Sequence, residues 1–127
     1  MAAACPEGFR PHEKVLNFAR ENGDFLLTDS PEEAAKDADV IFTDVWASMG
    51  QEGESERRRQ VFEGKYQVSG ALMELAKPDC MVQHCLPAHR GEEITEEVFE
   101  AHADEIFEEA ENRLHVQKAV MVLLMGD

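Results

Sequence analysis

Ser30-Pro31-Glu32-Glu33-Ala34-Ala35-Lys36-Asp37-Ala38-Asp39-Val40-Ile41-Phe42-Thr43 sets a helix start and a strand side by side. Ser followed three residues later by Glu is a capping box, in which each side chain satisfies a backbone N–H that the first helical turn leaves free. Pro31 suits the first helical position, where no N–H is needed. Val40 to Thr43 is a β-branched and aromatic run between acidic residues, which predicts a buried strand.

The same alternation extends outward in both directions. Upstream, Pro11 to Asn22 is predicted helical, with Val15, Leu16 and Ala19 on one face and Gly23 as the stop; Phe25 to Thr28 is a short apolar strand. Downstream, the polar stretch from Met49 to Arg59 suggests a mobile loop leading into an exposed helix. Ser69 to Lys77 is helical and ends before Pro78, and Cys80 to Gln83 is the next strand. Thr95 caps a further helix, with Ile94 and Phe99 spaced as a hydrophobic staple. Ile106-Phe107 is expected as one more short strand, before a final helix over 110–124. Strands alternating with helices imply an α/β domain: a Rossmann-like, three-layer arrangement with a mostly parallel sheet flanked by helices. In such sheets ligands bind outside the carboxyl ends of the strands, so the residues just after each strand are the ones to search.

Bulk properties narrow the function. The 127 residues suffice for one compact domain, and 43% hydrophobic with 31% charged is ordinary for a globular chain. A formal net charge of −15 argues against nucleic acid and against an anionic membrane, both of which recruit Lys and Arg. The longest apolar run, Ala119 to Met125, is too short to span a bilayer, and Met1 to Cys5 lacks the basic start of a secretory signal. A cytoplasmic location is therefore expected. Three cysteines without a signal peptide point to reduced thiols rather than a disulfide framework.

Three segments carry chemistry. In Asp44-Val45-Trp46-Ala47-Ser48-Met49-Gly50, a carboxylate at a strand end precedes a hydroxyl and a glycine hinge. The carboxylate could meet the ammonium group of an amino acid, while the hydroxyl and loop N–H groups meet its carboxylate. A turn or helix cap is the plain alternative for Asp44. In Gln83-His84-Cys85-Leu86-Pro87-Ala88-His89-Arg90-Gly91, a thiol, two imidazoles and a guanidinium crowd one strand end. Neighbouring strand residues point to opposite faces, so His84 and Cys85 are not expected to converge on one ion, nor to form a nucleophile pair. A turn anchored by Pro87 and Gly91 is the simpler alternative. In Glu109-Ala110-Glu111-Asn112-Arg113-Leu114-His115, Arg113 falls at the start of the predicted last helix, where helix N–H groups also favour an anion such as phosphate. Pairing with Glu109 or Glu111 is the alternative there.

In this order, Asp44-Val45-Trp46-Ala47-Ser48-Met49-Gly50, His84-Cys85-Leu86-Pro87 and Glu111-Asn112-Arg113-Leu114-His115 resemble the signature segments of ornithine carbamoyltransferases. Tyr66-Gln67-Val68 and Arg90-Gly91-Glu92-Glu93 are similar to the same family, and the likeness runs from about Pro6 to Leu124. The Cys of His-Cys-Leu-Pro separates the chain from aspartate carbamoyltransferases, which carry His-Pro-Leu-Pro, and the Ser-Met-Gly loop separates it from the putrescine enzymes. The resemblance implies transfer of a carbamoyl group from carbamoyl phosphate to the δ-amine of ornithine. It implies that Asp44, Ser48 and Met49 bind the amino-acid end of ornithine. Cys85, Leu86 and Arg113 would meet carbamoyl phosphate, with Asp44, Cys85 and Arg113 at the reacting centre. No metal and no organic cofactor is needed for that chemistry, since positioning and oxyanion stabilisation supply the rate.

Family members are longer. They carry an N-terminal domain with a Ser-Thr-Arg-Thr loop and a His-Pro-x-Gln segment, neither of which occurs here. The resemblance therefore implies that residues 1–127 are a partial ornithine-binding domain that lacks its first strand and helix. Such a chain is expected to be inactive alone, and its full-length parent to be a homotrimer or a multiple of trimers. Two rival readings stand beside this one: a carbamoyltransferase for a related amine, and a stand-alone ornithine-binding or regulatory domain.

Overall fold

The computed structural model describes residues 1–47 and 52–126; Ser48, Met49 and Gly50 of the expected binding loop lie outside them. The elements alternate as β1 (Ala2–Ala4), α1 (Glu13–Asn22), β2 (Leu26–Thr28), α2 (Pro31–Ala35) and β3 (Val40–Thr43). A 3-10 turn (Glu52–Glu54) then leads to α3 (Ser55–Phe62), α4 (Gly70–Met73), β4 (Met81–His84), α5 (Glu96–Ala101) and α6 (Ala103–Met125). The predicted N-caps form, but the reciprocal half of the capping box does not: the Ser30 N–H donates to Thr28 Oγ1 at 3.1 Å, and that hydroxyl in turn donates to Glu33 Oε2. Ser30 Oγ accepts from the Glu33 N–H at 3.2 Å with Pro31 in the first turn of α2, and Thr95 Oγ1 accepts from the Val98 N–H at 3.3 Å.

Parallel strands flanked by helices make this an α/β, Rossmann-like fold. β1 runs parallel to β2 with Ala2 opposite Leu26, and β3 runs parallel to β4 with Val40 opposite Met81 and Thr43 opposite His84. The strands form two parallel pairs rather than one continuous sheet, with a cleft of about 600 Å³ lined by residues of both β1 and β3. The main core lies on the β3–β4 side: Val68, Val82, Ile94, Val98, Phe99 and Ile106, with Ile41, Leu72 and Leu86 packed against it. Ile94 and Phe99, the expected staple, are both buried there.

Several sequence expectations are corrected. β3 is a strand but not a buried one: Val40 is 37% and Phe42 64% exposed. Alternate residues face opposite sides; Ile41 reaches the core, and the Val40/Phe42 face is incompletely covered. β1 had no sequence signal, because alanine has little preference for strands. Its partner defines it, with the Leu26 N–H donating to the Met1 carbonyl and the Cys5 N–H to that of Thr28, both at 3.0 Å. Helix α4 is shorter than the predicted 69–77, since Leu75 and Ala76 bond back only three residues, in tight turns. Ile106-Phe107 is not a strand. It lies within α6, which starts at Ala103 rather than near 110, and Ile106 is fully buried while Phe107 is 55% exposed. A two-residue apolar run fits either structure, and packing of one residue against α5 decides for the helix.

The second half of α6 leaves Leu114, Val116, Val120, Val122, Leu123 and Leu124 exposed. Among the described residues, no helix is long and apolar enough to cross a membrane.

Candidate functional site

Because Thr43 and His84 are opposite each other in parallel strands, the residues that follow them emerge side by side. Asp44 Oδ1 accepts a hydrogen bond from the Cys85 thiol at 3.3 Å and another from the Val45 N–H at 2.7 Å. Two of the residues singled out from the sequence, 41 positions apart, thus meet outside the carboxyl ends of adjacent strands. Asp44 is solvent-exposed and Cys85 half-buried. Burial, first, and then the hydrogen bond to and negative charge of Asp44 push the Cys85 thiol above its ordinary pKa. It is a neutral donor at physiological pH rather than a thiolate nucleophile.

Beyond Cys85 the chain turns sharply. Leu86 has φ 53° and a cis peptide bond to Pro87. A left-handed conformation costs a non-glycine residue about 1–2 kcal/mol, and here a buried polar cluster holds it. The Leu86 N–H donates to His84 Nδ1 at 2.9 Å, so His84 carries its proton on Nε2 and donates it to Glu93 Oε1 at 3.0 Å. The same Glu93 oxygen accepts the His89 N–H at 2.6 Å. His84 and Glu93 are both fully buried. Gln67 Nε2 donates to the Gly91 and Glu92 carbonyls, both at 2.8 Å, and fixes the end of the turn. Among the described residues the Leu86 carbonyl accepts no hydrogen bond, which leaves it available to a ligand.

The sequence argument that His84 and Cys85 diverge is corrected. Asp44, His84 and Cys85 bring ligand-type atoms within 4.8 Å of one another, because β4 ends at His84 and the turn folds Cys85 back. Both ring nitrogens of His84 are nevertheless already bonded within the protein, so the cluster offers an ion only Asp44 and Cys85.

The loop that begins at Asp44 is anchored by aromatic packing. Trp46 is buried and stacks on Phe62 of α3 at 6.1 Å, and Phe62 in turn meets Phe9 and Tyr66 edge-on at 5.1 and 5.3 Å. Arg58 Nη1 donates to the Trp46 carbonyl at 3.1 Å. Residues on both sides of the loop are thereby fixed; the expected Ser48 and Met49 contacts fall on the loop itself, outside the described residues.

Arg113 is not at a helix N-terminus. It lies well inside α6, so its own backbone offers no free N–H groups and the anion argument rests on its side chain. It is exposed, and among the described residues it pairs with neither Glu109 nor Glu111; Glu111 bonds His115 instead, at 3.0 Å. Glu109 lies one turn before Arg113, on the same helix face, and its charge is felt at the Cys85 thiol.

Sequence reasoning gave no role to Glu93, Gln67 or Glu105. Glu105 Oε2 accepts the Val82 N–H at 2.9 Å and meets His102 Nδ1 at 3.0 Å, fastening α6 to β4. The one available signal was a carboxylate or amide amid apolar core residues, as with Glu93 before Ile94.

A family model described as aspartate/ornithine carbamoyltransferase, Asp/Orn binding domain, matches residues 1–124. The ornithine carbamoyltransferase of Pyrococcus abyssi is 53% identical over 131 residues, covering 99% of this chain and 41% of its own length. That of Geobacter sulfurreducens is 54% identical over 127 residues, covering 98% and 42%. The crystal structure of the anabolic ornithine carbamoyltransferase from Campylobacter jejuni superposes with a TM-score of 0.91 at 42% identity, over 98% of this chain and 42% of that one. An acetylornithine transcarbamylase complexed with acetylcitrulline superposes with a TM-score of 0.77 at 28% identity, over 99% and 40%. The chain thus spans about two-fifths of the length of the relatives it matches.

Proposed function

The chain belongs to the aspartate/ornithine carbamoyltransferase family through its Asp/Orn binding domain, and from that premise we propose that it forms the ornithine-binding half of an ornithine carbamoyltransferase. The observation that carries the proposal is the meeting of Asp44 and Cys85 at adjacent strand ends. An exposed carboxylate beside a neutral thiol suits an amino acid whose ammonium group faces Asp44. Ser48 and Met49, next along the same loop, take its carboxylate in this reading.

In this reading the reaction runs as it does for a carbamoyl transfer to an amine. The δ-amine of ornithine, with an unperturbed pKa near about 10.4, must lose its proton before it attacks. Desolvation of the amine at the Asp44–Cys85 pair favours its neutral form. The amine attacks the carbamoyl carbon, a tetrahedral intermediate forms, and phosphate departs as citrulline is released. The Leu86 carbonyl orients the carbamoyl NH2 group, the Cys85 thiol lies against the ornithine side chain, and the Arg113 fork receives phosphate. Cys85 forms no covalent bond to substrate, in keeping with a thiol held protonated. The same reading puts the assembled enzyme in the cytoplasm, as a homotrimer or a multiple of trimers.

Citrulline formation tests the proposal. The purified 127-residue chain is expected to give no appreciable turnover of ornithine and carbamoyl phosphate. A chimera that joins it to the unmatched part of the Pyrococcus abyssi enzyme is expected to turn over, and Asp44→Asn in that chimera to lose most of its activity. Turnover by the isolated chain would overturn the division of labour. A chimera that prefers acetylornithine over ornithine would replace the substrate.

A further inference from the structure

The chain that leaves Cys85 and Leu86 ends in a second tight turn, at His89 to Glu93. The Glu92 N–H donates to the His89 carbonyl at 2.9 Å, and the Gly91 N–H to that of Ile94 at 2.7 Å. Gly91 sits at φ 90°, where a side chain would be strained. Folded this way, one imidazole and two carboxylates place ligand-type atoms of His89, Glu92 and Glu93 within 4.8 Å of one another. Gln67 holds the turn from outside through the Gly91 and Glu92 carbonyls.

Each of the three residues has an atom to give. Glu93 is fully buried, and its Oε1 already accepts from His84 Nε2 and from the His89 N–H. Its Oε2 is buried with no hydrogen-bond partner among the described residues. An orphaned carboxylate oxygen is costly, and only a proton, a water or a cation relieves it. Glu92 is half-buried and pairs with Arg59 through Oε1, which leaves its Oε2 open. His89 is exposed, and among the described residues only its backbone is hydrogen-bonded, so both ring nitrogens are free. That sets it apart from His84, whose ring is fully engaged.

We propose that His89, Glu92 and Glu93 bind one divalent transition-metal cation of the zinc class. An imidazole nitrogen with carboxylate oxygens suits Zn2+, Co2+ or Mn2+, whereas Mg2+ and Ca2+ favour oxygen alone. Zinc bonds to nitrogen and oxygen are about 2.0–2.2 Å, so ligand atoms of a tetrahedral shell lie about 3.5 Å apart. The exposed His89 ring and the Glu92 side chain close the cluster to that spacing by rotating about their own bonds. Glu93 stays fixed, and its bonds from His84 and the His89 N–H orient it as outer partners orient a metal ligand. Water fills the remaining position. A net charge of −15 favours a cation over the whole surface. The site is distinct from the Asp44–Cys85 pair and does not depend on the substrate assigned above.

The test titrates zinc chloride into the chelator-treated 127-residue chain by calorimetry, beside its Cys85→Ser, His89→Ala, Glu92→Gln and Glu93→Gln variants. Cys85→Ser is expected to bind zinc at this site as the parent does. His89→Ala, Glu92→Gln and Glu93→Gln are each expected to weaken that binding by about tenfold or more. Proton NMR of the imidazole rings in the unaltered chain is a readout that needs no variant. The His89 ring signals should shift on adding zinc, while those of His102 and His115, each already paired with a glutamate, stay in place. Three results would overturn the proposal. Binding lost in Cys85→Ser but kept in His89→Ala would assign the ion to the Asp44–Cys85 pair. Shifts at His102 or His115 without one at His89 would assign it to α6. No binding up to about 1 mM zinc would leave Glu93 Oε2 to a proton or a water.

Discussion

Glu93 Oε1 lies 3.0 Å from His84 Nε2, and both side chains are fully buried at the end of β4. The pair joins the last residue of the strand to the far end of the turn that presents Cys85 and Leu86. Its other contacts are backbone N–H groups, from Leu86 to the ring and from His89 to the carboxylate. The cluster holds the shape of the turn rather than taking part in the chemistry.

Removing the imidazole should therefore cost more than neutralising the carboxylate. His84→Ala removes one of the two hydrogen bonds to Glu93 and the acceptor of the Leu86 N–H, and opens a cavity in the core, a loss of about 3 kcal/mol or more. Glu93→Gln keeps an acceptor for both His84 and His89 and should cost about 1 kcal/mol. Urea unfolding midpoints of the two variants decide it; equal losses would refute the arrangement.

Asp44 should control the reactivity of Cys85. Burial and Asp44 together hold the thiol above its usual pKa, so the thiolate fraction at pH 8 is small. Asp44→Asn removes the negative charge and should speed alkylation of Cys85 by iodoacetamide several-fold at that pH. Mass-spectrometric rates on the Cys85 peptide check this, with Cys80 as an internal control whose thiol is also raised, chiefly by burial. An unchanged Cys85 rate would show that Asp44 does not act on the thiol.

Acid should loosen α6 from β4. Burial alone would raise the pKa of Glu105, but the Val82 N–H and His102 outweigh it and hold the carboxyl below its ordinary value. A depressed carboxyl stabilises the fold above the ordinary carboxylate pKa, and that contribution fades as pH falls through the lowered one. Glu105→Gln should therefore be less stable than the parent at pH 7, with the gap closing toward pH 3. Thermal midpoints across that range measure it, and a gap independent of pH would contradict it.

The apolar half of α6 should drive self-association. Val122, Leu123 and Leu124 are 69%, 81% and 79% exposed, next to Val116 and Val120. A continuous bare surface of this kind favours contact with another copy. Sedimentation velocity is expected to show a concentration-dependent oligomer that Leu123→Glu with Val120→Glu dissolves. A monomer at high concentration in the parent chain would rule this out.

Much of the site was legible because its residues follow strands. Val40 to Thr43 and the run from Cys80 announced two strands by composition, and Asp44 and Cys85 were picked out from the positions after them. That they touch was not legible, since it depends on the register of Thr43 against His84. The same limit misplaced the start of the last helix, because Ile106-Phe107 reads as a strand until Ile106 is seen packed in the core.

By itself the sequence determined the α/β class and the helix caps at Ser30 and Thr95, and it singled out three segments as candidates for the chemistry. These are local properties: backbone capping, side-chain period and residue type act within a few positions of the chain. Only the tertiary structure decided that both ring nitrogens of His84 are bonded within the protein, that Arg113 projects from within a helix, and that a cleft lies between β1 and β3. Each of those depends on which groups, distant in sequence, share hydrogen bonds or compete for burial, and no local pattern encodes that.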